Sequence, residues 1–216
     1  GGAVWLLTET EGAIRIDTNS EDYSLTSQWY SAQSGQFSAT RVFGVYEDLL
    51  GNEWILSDNG LGMLTAGQTT PTSYFVDAAE REKKGGQAFY SCLEYNSEIY
   101  FGSDNGRVWC YQKENGQFQL QNLPASSRIV SINSVEGNEL IFTTAKDGFF
   151  SYQPKTKAIE HFPASRFPNA SIHSVYVDKA SEVWFEQHIP GTVVHFNPRT
   201  RILKQEKVPV EPTSTD

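Results

Sequence analysis

Residues 52–64, Asn-Glu-Trp-Ile-Leu-Ser-Asp-Asn-Gly-Leu-Gly-Met-Leu, decide the fold because the same pattern is written five times along the chain. The stretch holds a short apolar run, a turn of residues that tolerate positive φ, and a second apolar run, which together spell a hairpin. The other copies are VWLLTETEGAIRID from Val4, EIYFGSDNGRVWCY from Glu98, ELIFTTAKDGFFSY from Glu139 and EVWFEQHIPGTVVHF from Glu182. Aligned on the bulky residue of the first run, Trp5, Trp54, Tyr100, Ile141 and Trp184 are spaced by 49, 46, 41 and 43 residues. A glycine follows six or seven residues later in every copy: Gly12, Gly60, Gly106, Gly148 and Gly191. Four copies are preceded by a further alternating run, at 42–47, 89–95, 129–135 and 172–178. Weaker fourth strands are predicted at 24–30, 72–76, 118–120, 159–162 and 202–205.

Four-stranded units recurring about every 45 residues are the mark of a β-propeller. One such sheet has two apolar faces and can bury neither alone, whereas stacked blades bury both. A β-sandwich would also alternate, but it would not place a bulky residue and a glycine in register five times. The expectation is therefore an all-β propeller of four-stranded blades with about five blades visible. The first blade lacks its innermost strand, so the chain is expected to be a fragment of a larger propeller. Residues 1–207 carry the blades, and 208–216, with two prolines, read as a linker. The one stretch of helical composition is 78–84, stopped by Gly85 and Gly86.

Composition agrees with this architecture and excludes several classes of function. The 216 residues include 13 Phe, 10 Tyr and 5 Trp alongside 17 Gly, a mixture suited to pleated, half-buried surfaces and tight turns. With 17 Lys and Arg against 26 Asp and Glu, the net charge of −9 lacks the basic stripe that nucleic acid requires. The longest apolar run is 3–7, too short to span a membrane, and no leader opens the chain, so export would need a signal outside this sequence. Cys92 and Cys110 fall on the first and third strands of one sheet, too far apart to bridge, and are expected as buried thiols.

Asp48-Leu-Leu-Gly-Asn-Glu-Trp-Ile-Leu-Ser-Asp-Asn-Gly-Leu61 closely resembles the two-component-regulator propeller repeat. Tyr100-Phe-Gly-Ser-Asp-Asn-Gly106 is a second match, and Tyr152-Gln-Pro-Lys-Thr156 and Phe196-Asn-Pro-Arg-Thr200 match the turn that follows in that repeat. The Trp5 and Ile141 copies are degenerate. The resemblance implies the periplasmic sensor region of a hybrid two-component histidine kinase that detects glycan breakdown products, with no catalytic residue and no cofactor in this segment. It implies as partners a small-molecule or oligosaccharide ligand, further blades or domains of the same parent chain and a possible homodimer, with no nucleic acid and no membrane contact. The segment from Val183 to Pro198 also looks like the propeller of streptogramin lyases, whose acid/base is a histidine working with a divalent metal. Against that, the four histidines (His161, His173, His188, His195) include no His-Glu pair at ligand spacing. A protein-binding scaffold is the remaining alternative.

In a propeller, the loops joining second to third strands, and fourth strands to the next blade, line one face and carry function. The first set offers Asp58, Asn59, Asp104, Asn105, Lys146, Asp147 and His188; the second offers Arg41, Arg128, Arg166 and Phe167. The Asp-Asn-Gly tips are also what the turn geometry asks for. Arg41, Arg128 and Arg166 each precede an inner strand, where convergent guanidinium groups would suit a carboxylate or sulfate. The expected ligand set is Arg41, Arg128, Arg166, Phe167, Lys146 and His188, with no metal site.

Overall fold

The structure is a computed structural model and describes residues 2–18, 27–76, 88–169, 171–187 and 191–209. It divides into two compact units, Gly1–Glu94 and Tyr95–Asp216.

In the first unit, β1 (Ala3–Leu7), β2 (Ala13–Asp17) and β3 (Ser27–Tyr30) form a three-stranded antiparallel meander. A four-stranded meander follows: β4 (Val42–Glu47), β5 (Glu53–Ser57), β6 (Gly60–Leu64) and β7 (Thr72–Tyr74). The unit ends in β8 (Phe89–Tyr95), inner strand of a third sheet ordered β8-β9-β10-β11. Those partners, β9 (Glu98–Ser103), β10 (Val108–Gln112) and β11 (Gln117–Gln121), open the second unit. Its other sheets are β12 (Ile129–Val135), β13 (Glu139–Thr144), β14 (Phe149–Gln153) and β15 (Ala158–Phe162), then β16 (Ser174–Val177), β17 (Val183–Glu186), β18 (Thr192–Asn197) and β19 (Ile202–Lys207). Among the described residues the helical content is one 3-10 turn, Ala164–Arg166. The predicted helical stretch 78–84 lies outside the described residues.

The repeated glycine has a specific structural cause. Gly60 and Gly148 both sit at positive φ (94° and 84°). A Cβ at Gly60 would lie 2.3 Å from the Tyr74 carbonyl oxygen, and one at Gly148 would lie 2.1 Å from that of Phe162. The turn between second and third strands is thus pressed against the end of the fourth strand, where no side chain fits.

Each unit has its own apolar core. In the first, Tyr30, Phe37, Val42, Ile55 and Leu64 pack together, with Trp5 and Val45 against them. In the second, Ile141, Phe149, Phe162, Phe167, Phe185 and Phe196 form an aromatic cluster in which Phe149 stacks on Phe162 at 4.5 Å and on Phe185 at 4.9 Å. The second strands β9 and β13 are buried on both faces apart from Glu98, the signature of a sheet covered on each side. By contrast, β1 and β17 alternate. The bulky residue of the repeat is accordingly buried in Trp54, Tyr100 and Ile141. At the same place in their sheets Trp5 and Trp184 are only half-buried, and Trp184 stacks on His195 at 4.6 Å. The cysteines are free thiols, and burial pushes both up to about 12, joined at Cys110 by the neighbouring Glu98.

Candidate functional site

The acidic residue that opens the best-matched repeat is a brace. Asp48, buried, accepts hydrogen bonds from the backbone N–H groups of Leu50 and Asn52 (both 2.9 Å), from the Asn52 amide and from the Trp54 indole at 3.1 Å. Burial opposes ionisation of this carboxyl, but the donors outweigh it and hold its pKa below the usual carboxylate value. Asp178 repeats the arrangement, accepting from Ala180, Glu182 and the Trp184 indole.

The turns between second and third strands are braced in the same way, but against the linker that leads into their own sheet. Asp58 accepts the backbone N–H groups of Thr40 (3.0 Å) and Arg41 (3.1 Å), and the Asn59 amide donates to the Ser38 carbonyl. In the second unit Asp147 accepts four hydrogen bonds, from the backbone N–H and hydroxyl groups of Ser126 and Ser127, at 2.8–2.9 Å. Here too burial opposes ionisation, and the serine donors overcome it to lower the pKa. These carboxylates are therefore consumed in holding loops.

What the braces hold in place is cationic. In the first unit, Arg41 is exposed beside its inner strand, its guanidinium 5.6 Å from the Phe43 ring centroid. In the second, Arg128 and Lys146 are both exposed and their segments are stitched together: Ala145 N–H donates to the Arg128 carbonyl (2.9 Å), and Lys146 N–H to the Ser127 hydroxyl (3.0 Å). Gly148, two residues on, lies against residues 162–164, and the turn that follows ends at exposed Arg166, whose guanidinium sits over Phe162 at 5.1 Å. His161 extends the same end, its Nε2 2.7 Å from the Asp147 carbonyl oxygen and its ring stacked on Phe150. The second unit thus brings Arg128, Lys146 and Arg166 to one loop end.

Two expected ligand contacts stand differently. Phe167 is a core residue, packed edge-on against Phe149 (6.0 Å) and Phe185 (5.3 Å), because the 3-10 turn directs it under the loop. His188 lies outside the described residues. His195 is held between two carboxylates, with Nδ1 2.8 Å from Glu182 and Nε2 3.3 Å from Glu206. Among the described residues no group of three His, Cys, Asp or Glu is arranged to hold a metal ion. One concavity of about 270 Å³, lined by Asn96, Lys113 and Asn115 among others, lies at the opposite hairpin end; others of about 310 Å³ lie beside Trp29 and Gln33 and beside Glu136 and Arg199.

No family model matches the chain, and no curated protein matches it. Solved structures do. The chain is similar to the extracellular domain of a hybrid two-component system from B. thetaiotaomicron, with a TM-score of 0.68 and 16% identity over 96% of this chain and 30% of that one. It is also similar to virginiamycin B lyase from Staphylococcus aureus, with a TM-score of 0.72 and 17% identity over 97% of this chain and 68% of that one. A third similar structure is the β-propeller domain of Cps50 (Swd1) from Myceliophteria thermophila, at 0.64 and 15% over 96% of this chain and 71% of that one. At such identities the likeness establishes the fold: this is an all-β protein built of propeller blades, about five of them. The chain spans about a third of the sensor domain's length. Among the described residues no helix is long and apolar enough to cross a membrane.

Proposed function

We propose that the chain is an extracytoplasmic, periplasmic ligand-sensing propeller module of a hybrid two-component sensor histidine kinase, and that it detects an acidic glycan breakdown product. The observation that supports this most is the loop end of the second unit. Three exposed cations, Arg128, Lys146 and Arg166, stand on segments fixed by backbone hydrogen bonds, while the nearby Asp147 carboxylate is occupied by Ser126 and Ser127. A prearranged set of guanidinium and ammonium groups binds a carboxylate or sulfate at low ordering cost. Arg41 belongs to the same reading, since it occupies the equivalent position before its inner strand and is braced by Asp58 in the same manner. Phe167 supports the loop from beneath. In this reading the segment binds and does not catalyse, and signalling passes through parts of the parent protein.

A streptogramin-lyase-like reading draws on the structural likeness to virginiamycin B lyase. His195, on the strand that carries the likeness in sequence, is engaged on both ring nitrogens, and His188 lies outside the described residues. Calorimetric titration with uronic-acid and sulfated oligosaccharides, beside neutral ones, tests the proposal. The acidic sugars should bind, and the combined Arg128→Ala, Lys146→Ala, Arg166→Ala variant should lose at least tenfold in affinity. Binding of neutral sugars alone, or unchanged affinity in the variant, would remove these residues from the site. Metal-dependent turnover of a lactone substrate would overturn the sensor reading itself.

A further inference from the structure

In the first sheet the turn between β1 and β2 is pressed against the chain that leaves β3. A Cβ at Gly12 would lie 2.2 Å from the Tyr30 carbonyl oxygen, and the Gly12 N–H donates to the Thr40 carbonyl at 2.9 Å. Gly60 and Gly148 meet the Tyr74 and Phe162 carbonyls in the same way, so equivalent positions can be read across three sheets. The residue before the glycine is Glu11, Asn59 or Asp147, and the residue before the carbonyl is Trp29, Ser73 or His161. Asn59, Asp147 and His161 are engaged in the fold: Asn59 donates to Ser38, Asp147 accepts from Ser126 and Ser127, and His161 stacks on Phe150. Glu11 and Trp29 are not. The exposed Glu11 carboxylate accepts no hydrogen bond from any described residue. Trp29 is 41% exposed, and its indole N–H has no acceptor among the described residues.

Both line a concavity of about 310 Å³ together with Ser31, Gln33 and Ser34. Its wall is fixed by local hydrogen bonds. Ser31 and Ser34 each donate a backbone N–H to the other's hydroxyl (3.1 and 3.2 Å), the Ser34 hydroxyl donates to the Ser31 carbonyl (2.9 Å), and the Ala32 N–H donates to the Ala39 carbonyl (2.9 Å). With both serines engaged, the groups left to a ligand are the indole face, the Glu11 carboxylate and the exposed Gln33 amide. An aromatic face is the negative end of a quadrupole, so ring and carboxylate present the same sign to one space. Neither described arginine of the first unit lines it: Arg15 is paired with Glu53 at 2.7 Å, and Arg41 sits over Phe43.

We infer that this concavity binds a small organic cation, a primary alkylammonium, whose charge lies against the Trp29 ring and whose N–H groups donate to Glu11 and to the Gln33 carbonyl. A volume at the low end for ligand pockets limits the occupant to a short alkyl chain around the amine. Glu11 repels an acidic sugar, so this site is separate from the cationic loop end of the second unit and does not depend on the ligand reading above.

The test is a nuclear magnetic resonance titration of the whole chain, following the indole N–H signals of its 5 tryptophans. Putrescine is the probe and 1,4-butanediol its uncharged counterpart. The signal identified by its absence in Trp29→Phe should move saturably with putrescine and stay in place with butanediol. Glu11→Gln, which removes no contact of the fold, should weaken putrescine binding roughly three- to fivefold. An equal response to butanediol, a Trp29 signal that putrescine does not move, or an affinity unchanged in Glu11→Gln would overturn the inference.

Discussion

Replacing Asp48 by alanine tests whether the acidic residue of the repeat is structural. The side chain is buried, and Trp54, whose indole N–H it accepts, is fully buried. Without the carboxylate that N–H has no water to turn to, which costs about 1–3 kcal/mol. The Leu50 and Asn52 donors sit in a turn whose leucines are exposed, so water can replace part of their bonds, adding about 1 kcal/mol. A total of about 3 kcal/mol translates, for a chain of this size, into a melting temperature lower by roughly 6–12 °C. Asp48→Asn, which keeps one acceptor oxygen, should lose about half as much. Asp178→Ala is the internal control: its backbone and indole donors match, but it lacks the side-chain amide that Asn52 gives Asp48, and the Trp184 indole is half-buried and can be hydrated, so its shift should be clearly smaller. Calorimetry or circular dichroism on the three variants decides the matter. An Asp48→Ala shift under 2 °C, or one equal to that of Asp178→Ala, refutes the bracing argument.

Three further outcomes follow from the same geometry. Asp147 and Asp48 have pKa values lowered from 3.8, so their contribution to stability is present above that value and is lost as pH falls through the lowered ones. Acid titration of the melting temperature should therefore be steep below about pH 4, and less so in Asp147→Asn. Gly148→Ala forces a Cβ against the Phe162 carbonyl and should cost about 2–4 kcal/mol in urea denaturation, whereas Gly51→Ala, with φ of 79° but open space around it, should cost about 1 kcal/mol. Cys92 and Cys110, both pushed up to about 12, should resist alkylation at pH 8 until urea unfolds the chain.

Inner strands were the most legible part of the fold. Residues 42–47, 89–95 and 129–135 are strands at the predicted bounds, with register breaks at Val42/Gly44 and Ile129/Ser131 interrupting the alternation, and the run expected at 172–178 is a strand over Ser174–Val177. Fourth strands came out one or two residues off, as at β7 and β19, because their outer faces are polar and dilute the pattern. Trp184 shows a different limit: register assigns a residue to a place in a blade but carries no information on what covers that blade. At the candidate site, Arg128, Lys146 and Arg166 could be named from loop position. The bracing roles of Asp58 and Asp147 could not, since they depend on contacts 17–21 residues away in the chain. Phe167 looked like a loop aromatic because the 3-10 turn that buries it has no apolar periodicity.

The most direct measurement is a crystal structure of the chain soaked with a sulfated or uronic-acid disaccharide. The account predicts density for the acidic group within hydrogen-bond distance of the Arg128, Lys146 and Arg166 side chains. Density instead at the opposite hairpin end, beside Asn96 and Lys113, would contradict it.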